Sequence, residues 1–106
     1  MNIKKFAATP KLIEIKLEDN TLVEKYGEPI TFYTYDIIPM TTYFSFYDAK
    51  STNEFDTLNK LMRNMILDDK GNKALADDED LPIDIATSAI SKLGELLGKS
   101  MSKTST

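Results

Sequence analysis

The sequence predicts an α+β fold in which a small N-terminal antiparallel β-sheet of two or three strands packs with two or three C-terminal α-helices. Two stretches near the N-terminus have the alternation or the β-branched and aromatic content of strands. Two later stretches repeat apolar residues at helical spacing. A chain of 106 residues has the size of one domain. We expect this domain to cover 1–99, followed by a disordered polar tail over 100–106.

The strand predictions depend on short segments between turn residues. In "KLIEIKLED" (11–19), aliphatic residues alternate with charged ones, which is typical of a half-buried strand. "ITFYTYD" (30–36) is rich in β-branched and aromatic residues. The intervening "TLVEKYGEP" (21–29) is a candidate for a further short strand, because Gly27 and Pro29 mark a turn at its end.

The stretch "MTTYFSFYDAK" (40–50) fits two patterns. Thr42, Phe44 and Phe46 alternate as they would in a strand, whereas four apolar residues after Pro39 recur at helical spacing. The residues of this helical stripe are Met40, Tyr43, Phe44 and Tyr47. We favour the helix, because proline is well tolerated near the first turn.

Two clearer helices follow. Ser51 and Glu54 form a capping-box pattern before a predicted helix over 52–67. Its predicted apolar face consists of Phe55, Leu58, Leu61, Met62, Met65 and Ile66. Leu81-Pro82 begins the last predicted helix, which we expect to end at Gly98 in a left-handed conformation. Its apolar stripe consists of Ile83, Ala86, Ile90, Leu93 and Leu97.

Composition excludes most catalytic chemistry. The chain has no Cys and no His, which removes disulfides, thiolate metal sites and every Ser-His or Cys-His arrangement. A net charge of −4 disfavours nucleic-acid binding. No apolar run approaches the length of a membrane span, and the N-terminus lacks the apolar segment of a signal peptide. We expect a cytoplasmic protein that is not an enzyme and has no catalytic residues, cofactor or metal.

The segment "GELLGKS" (94–100) resembles a phosphate-binding loop only superficially. Such a loop has four residues between its glycines, whereas three separate Gly94 from Gly98, and Leu93 occupies the position of the first glycine. The context is also inverted, because the segment ends a predicted helix and none follows it. We therefore expect no nucleotide site here.

The acidic segment 68–80, with six carboxylates and two lysines, does not match a calcium loop. With Gly71 at the sixth position, Ile66 and Lys70 would fall where ligand oxygens are required, and Asp77 would replace the usual bidentate Glu. We predict a solvated loop, whose charge could face basic residues of a partner.

Aromatic residues and methionines are the best candidates for contact with another protein. Tyrosine is favoured in interfaces as well as in cores, and Tyr33, Tyr35 and Tyr47 are the partner-surface candidates. The helix faces could form either core or groove, and Met40, Met62 and Met65 would make an adaptable surface if exposed. The helix residues proposed for partner contact are Met62, Met65, Ile90, Leu93 and Leu97.

The order of these elements resembles the tail assembly chaperones of long-tailed bacteriophages. A short β-region ending in "ITFYTYD" is followed by "FDTLNKLMRNMILDDKG", an acidic spacer and "DLPIDIATSAISKLGELLGKS". The resemblance spans Leu12 to Lys99. Its most specific part is Leu81-Pro82 with the Ala- and Ile-rich helix that follows.

The resemblance implies a small acidic protein in the cytoplasm of the infected bacterial host. Such a protein binds the tape-measure protein, keeps it soluble and helps to recruit tail-tube subunits. This sequence would match the short form, without the frameshift-extended domain of many families. We also expect self-association, and no contact with nucleic acid or membrane. The alternative readings are a small structural tail or neck component of the virion and a host regulatory or inhibitor binding module.

Overall fold

The computed structural model describes residues 2–7 and 9–104, without the side chains of residues 5, 6 and 99–104. Within them the α+β prediction is confirmed, with two strands, and with four α-helices where two or three were expected. A 3₁₀ turn, Ile3–Phe6, comes first. The strands are β1 (Leu12–Leu17) and β2 (Ile30–Tyr35). The helices are α1 (Asn20–Tyr26), α2 (Met40–Ser51), α3 (Phe55–Met65) and α4 (Ile83–Thr104).

The two strands form an antiparallel sheet with a continuous register. Leu12 lies opposite Tyr35 at one end and Leu17 opposite Ile30 at the other. The alternation seen in the sequence is reproduced, because the core face of the sheet carries buried residues and the other face carries charged and exposed ones. The buried residues are Ile15, Leu17, Phe32 and Thr34.

The prediction of a strand within 21–29 is wrong, because this segment forms most of the helix α1. Its single fully buried residue, Leu22, faces the core. Gly27 ends the helix with φ 87°, and its N–H donates to the carbonyl of Val23 at 2.8 Å. This left-handed conformation favours glycine, so the residue that we took for a turn after a strand is a helix cap.

The helix favoured over 40–50 is confirmed as α2, but the start of the next helix differs from the prediction. Ser51 is the last residue of α2, so the capping box with Glu54 does not form. Asn53, with φ 58°, separates the two helices, and α3 begins only at Phe55. It ends at Met65, before 66–67, which is extended.

The last helix begins directly after Pro82, close to the predicted start, but its predicted end at Gly98 is wrong. The helix continues to Thr104 and so includes 100–104 of the predicted disordered tail. Residues 105 and 106 of that tail lie outside the described residues. The positive-φ glycines among the described residues are Gly27 and Gly71, so the backbone of Gly98 is not left-handed.

The core lies where α4 packs against β1, α2 and α3. Its centre is formed by Met62, Ala89, Leu93 and Leu97, together with Phe46 and Ala49 of α2. Two residues that the helical patterns assigned to apolar faces, Phe55 and Ile83, are instead 70% and 85% exposed. Each is the first residue of its helix.

The acidic segment is mostly exposed, as predicted, but hydrogen bonds fix its backbone. The Oδ1 atom of Asp68 accepts the N–H groups of Lys70 and Asn72, both at 2.9 Å. Arg63 of α3 donates to the carbonyl of Ala76 at 2.6 Å and to Asp80 at 3.1 Å. These bonds hold the segment against α3 before the chain enters α4.

Candidate protein-binding surface

Helix α2 exposes large apolar side chains on the side opposite to the core. Met40, Phe44 and Tyr47 are 72%, 54% and 60% exposed, and together with Tyr43 they define what we call the α2 surface. The residues recur at helical spacing, so they form one continuous stripe. An apolar stripe of this kind on a soluble helix is a candidate site of contact with another protein.

The stripe is exposed because α2 has apolar residues on two opposite faces. Phe46 and Ala49 lie on one face and are buried in the core. A helix packed on only one side can bury only one of two such faces. The sequence prediction identified the stripe of the α2 surface correctly as helical, but it did not show that the other face is the one that packs.

Aromatic contacts order the α2 surface. The rings of Tyr43 and Phe44 meet edge to face with centroids 5.4 Å apart, and those of Tyr43 and Tyr47 stack at 6.3 Å. Such pairs hold the side chains in defined positions and lower the conformational entropy lost on binding. The surface is therefore partly preorganised for contact.

A groove of about 320 Å³ continues the α2 surface toward α4. Tyr43, Tyr47 and Lys50 border it on α2, and Gly94 and Gly98 border it on α4. A Cβ atom at Gly94 would lie 3.3 Å from Nζ of Lys50, whereas one at Gly98 would meet nothing within 4 Å. The groove is therefore open because two residues of α4 have no side chain there.

A second pocket, of about 440 Å³, lies between β2, the start of α4 and the segment 66–75. Aliphatic residues dominate its lining, with Asp68, Asp69 and Tyr33 as its main polar groups and no lysine or arginine. It is suited to an apolar group, with carboxylates available to a cation beside it.

The partner candidates from the sequence fall into four environments. Tyr47 belongs to the α2 surface. Tyr33 lines the second pocket, and Tyr35, 40% exposed, lies near Gly71 on the outer face of the sheet. The helix candidates pack in the core, where Ile90 is half-buried and the others are buried. These core residues are Met62, Met65, Ile90, Leu93 and Leu97.

The sequence reasoning named Met40 and Phe44 but did not propose Phe44 for partner contact, and it missed the two glycines. The signal for Phe44 was present, because two apolar stripes in one short helix cannot both pack on a single neighbour. Gly94 and Gly98 also carried a signal, since glycine four residues after glycine opens one side of a helix. That signal became visible only once both were known to lie inside α4.

The shifted pKa values belong to two hydrogen-bonded pairs, of which one is an ion pair. The hydrogen bond from Lys25 to Asp84, at 2.9 Å, raises the pKa of the lysine and lowers that of the carboxyl. The negative charge of Glu14 raises the pKa of Tyr33, whose hydroxyl donates to that carboxylate at 3.3 Å. Tyr33 also lines the second pocket, whereas Lys25 and Asp84 line neither that pocket nor the groove beside α2.

Other kinds of site find no support in the described part of the chain. No group of three or more acidic residues there is arranged to hold a metal ion. None of the described helices combines the length and the apolar character needed to cross a bilayer. The segment 94–100 is helical throughout, so its backbone N–H groups do not form a phosphate cradle.

Comparison with protein-family models, with curated proteins and with solved structures finds no match to this chain. The α2 surface and the groove beside it are therefore the features that bear on function.

Proposed function

We propose that this protein is a non-enzymatic tail assembly chaperone, which binds an apolar helical segment of the tape-measure protein, keeps that protein soluble and helps to recruit tail-tube subunits in the infected cell. The observation that carries the proposal is the exposed apolar stripe on α2. The identity of the client follows from the resemblance in the sequence, and the mode of binding follows from the surface.

The shape of the α2 surface favours a helical client. Met40 and Tyr47 are seven residues apart, which is about 10 Å along a helix, or two turns. A client helix with apolar residues at the same spacing can lie along this stripe and insert one side chain into the groove between α2 and α4. An extended tape-measure chain would present such helical stripes before the tail tube encloses it.

The charges around the stripe suit a soluble complex. Met40, Phe44 and Tyr47 carry no charge, and Asp48 and Lys50 lie on its two sides, one of each sign. The chain as a whole has a net charge of −4, which disfavours both aggregation of bound complexes and contact with DNA. A surface of this size binds weakly, so several copies along one long client would gain from multivalency.

Co-expression of the chain with the tape-measure protein encoded in the same genome tests the proposal. We expect the wild-type chain to raise the fraction of tape-measure protein that stays in the supernatant after centrifugation. The variants Phe44→Asp and Tyr47→Asp should lose most of this effect, because a carboxylate in the stripe would have to be desolvated on binding.

Ile83→Asp is the matched control, because Ile83 is a large exposed apolar residue outside the α2 surface. It should keep the solubilising effect. Thermal melts of all three variants would show that they remain folded. The proposal fails if the control and the two stripe variants behave alike, or if the wild-type chain leaves the client insoluble.

Purified particles distinguish a chaperone from a structural component of the tail or neck. We expect mass spectrometry to find the tape-measure and tube proteins in finished virions and not this chain. A fixed copy number of this chain in every particle would instead identify a virion component. Recovery of a host protein as the main stoichiometric partner from infected cells would favour a regulatory module.

A further inference from the structure

We propose that β1 pairs with β1 of a second copy of this chain, in antiparallel orientation about Ile15, so that the two sheets join into one of four strands. The inference is independent of the proposed function, because it uses no residue of the α2 surface. It starts from the direction of the backbone hydrogen bonds in the sheet.

The outer edge of β2 is occupied. Tyr33 and Leu67 exchange two backbone hydrogen bonds, at 2.9 and 2.8 Å, so the backbone groups of Tyr33 point away from β1. In an antiparallel pair, successive residues direct their N–H and C=O groups to opposite sides of the strand. Phe32 and Thr34 therefore direct theirs toward β1.

The outer edge of β1 is open. The residues of β1 opposite Phe32 and Thr34 are Ile15 and Ile13, so the odd-numbered residues of β1 bond to β2. The even-numbered ones, Leu12, Glu14 and Lys16, direct their N–H and C=O groups away from the sheet. Within the described residues, no hydrogen bond from another segment reaches these six groups.

The strand lacks three of the features that usually prevent edge pairing. β1 contains no proline, its register with β2 is continuous without a bulge, and no charged side chain points to its core face. At its C-terminal end the neighbouring side chains of α4 include Ser91, Lys92 and Glu95, which carry both signs of charge.

The side chains select one register. When two copies pair about Ile15, Glu14 of each lies opposite Lys16 of the other on the exposed face, and Ile13 of each lies opposite Leu17 on the core face. Opposite charges and apolar pairs directly across two strands both stabilise a sheet. Both faces are therefore complementary in the same register.

The neighbouring registers with the correct hydrogen-bond direction are unfavourable. A centre at Glu14 places the two copies of this carboxylate opposite each other, and a centre at Lys16 does the same with two ammonium groups. A centre at Ile13 brings Pro10, which has no N–H, into the ladder. Charge and hydrogen bonding thus distinguish the register about Ile15 from these three.

Sedimentation velocity over a range of protein concentrations tests the proposal. We expect the wild-type chain to form a dimer whose fraction rises with concentration. Glu14→Lys and Lys16→Glu each place like charges opposite one another at two symmetric positions, and each should raise the dimer dissociation constant by at least about tenfold. The double variant, with both substitutions, restores opposite charges and should dimerise like the wild type.

Two further samples separate register from net charge. Glu24→Lys and Lys60→Glu make the same charge changes at exposed positions outside the sheet and should leave dimerisation unchanged. A mixture of the Glu14→Lys and Lys16→Glu chains should form mixed dimers, because both cross-strand pairs are then complementary. The proposal is overturned by a wild-type chain that stays monomeric at all concentrations, by single variants that dimerise normally, or by a double variant that does not recover.

Discussion

Helices α2 and α3 follow one another in the chain and have nearly the same length, 12 and 11 residues, but they differ in how they use their apolar residues. In α3, Leu58, Met62 and Met65 are buried on one face, and the opposite face is polar. In α2, apolar residues occupy both faces, and only one of them is buried.

The two helices therefore differ in how far contacts within the chain account for their sequences. Apart from Phe55, which is 70% exposed, the sequence of α3 is accounted for by the contacts within the chain, since its apolar stripe has a neighbour and its polar face meets water. The sequence of α2 is not, because the chain leaves Met40, Phe44 and Tyr47 of its second stripe exposed. The surplus of apolar residues in α2 is the physical reason to look for a partner there.

The largest change in stability is expected from a pair of substitutions on opposite faces of α2. Phe46→Ala removes a buried ring from the core and should lower the free energy of unfolding by about 3–5 kcal/mol. Phe44→Ala removes an exposed ring of the same size and should change it by less than about 1 kcal/mol. Denaturant unfolding of both variants measures the two values, and similar losses would show that α2 does not have one free face.

A corresponding pair of substitutions in α3, one at a buried and one at an exposed position, tests the same difference. Met62→Ala should lower the free energy of unfolding by about 2–5 kcal/mol, because Met62 is among the most deeply buried side chains. Asn64→Ala, on the exposed face, should leave it within about 0.5 kcal/mol of the wild type. Neither variant that remains folded should affect client binding, and a binding defect in Asn64→Ala would extend the interface beyond α2.

Gly98→Ala separates stability from binding at the groove beside α2. Alanine favours the interior of a helix over glycine, and no atom lies within 4 Å of the added methyl group, so stability should rise by up to about 1 kcal/mol. The same methyl narrows the groove and should weaken client binding.

Gly27→Ala is the control for the glycine substitution. It also meets no neighbour, but φ is 87°, so stability should fall by about 1 kcal/mol while binding is kept. Thermal melts and pull-downs of the two variants measure these changes. Equal shifts in the same direction would contradict the assigned backbone conformations.

The smallest effect is expected at the ion pair between α1 and α4, which touches neither helix of the comparison. The pKa of Asp84 is lowered, mainly by the hydrogen bond from Lys25, so the stabilisation is present above the ordinary pKa of 3.8 and is lost as the pH falls through the lower folded value. Asp84→Asn should therefore be slightly less stable than the wild type at neutral pH, and the difference should shrink at a pH below 3.8. Melts of both proteins at the two pH values would show it, and a difference that grows in acid would be the wrong sign.

The predictability of each element from sequence depended on whether its pattern had one interpretation. The single stripe of α3 and the alternation in β1 identified the type and the buried face of each element. A strand was predicted within residues 21–29 because glycine, here Gly27, is common both in turns and at helix ends. A local sequence pattern also cannot show the contacts of α1 with Asp84 of α4. The end of α4 was misjudged for a similar reason, since glycine is common at helix ends but is also found within helices.

Only part of the candidate site could be predicted from the sequence. Tyr47 was proposed for partner contact and is exposed, but Leu93, Leu97 and Met62 were proposed beside it and lie in the core. Spacing alone shows that residues share a face of a helix, and it does not show whether another helix covers that face. This depends on the tertiary packing of α4 against α2 and α3, which brings together residues about 35 to 50 positions apart.

The position of α4 in the chain also determines how the nascent protein matures. The sheet and the first three helices leave the ribosome earlier, and Phe46 then still lacks Gly94, the α4 residue that packs beside its ring. Leu93 and Leu97 fill the middle of the core, so the interior closes only after translation has passed them. Until α4 has been synthesised, the apolar residues that pack against it in the folded protein therefore stay exposed to water.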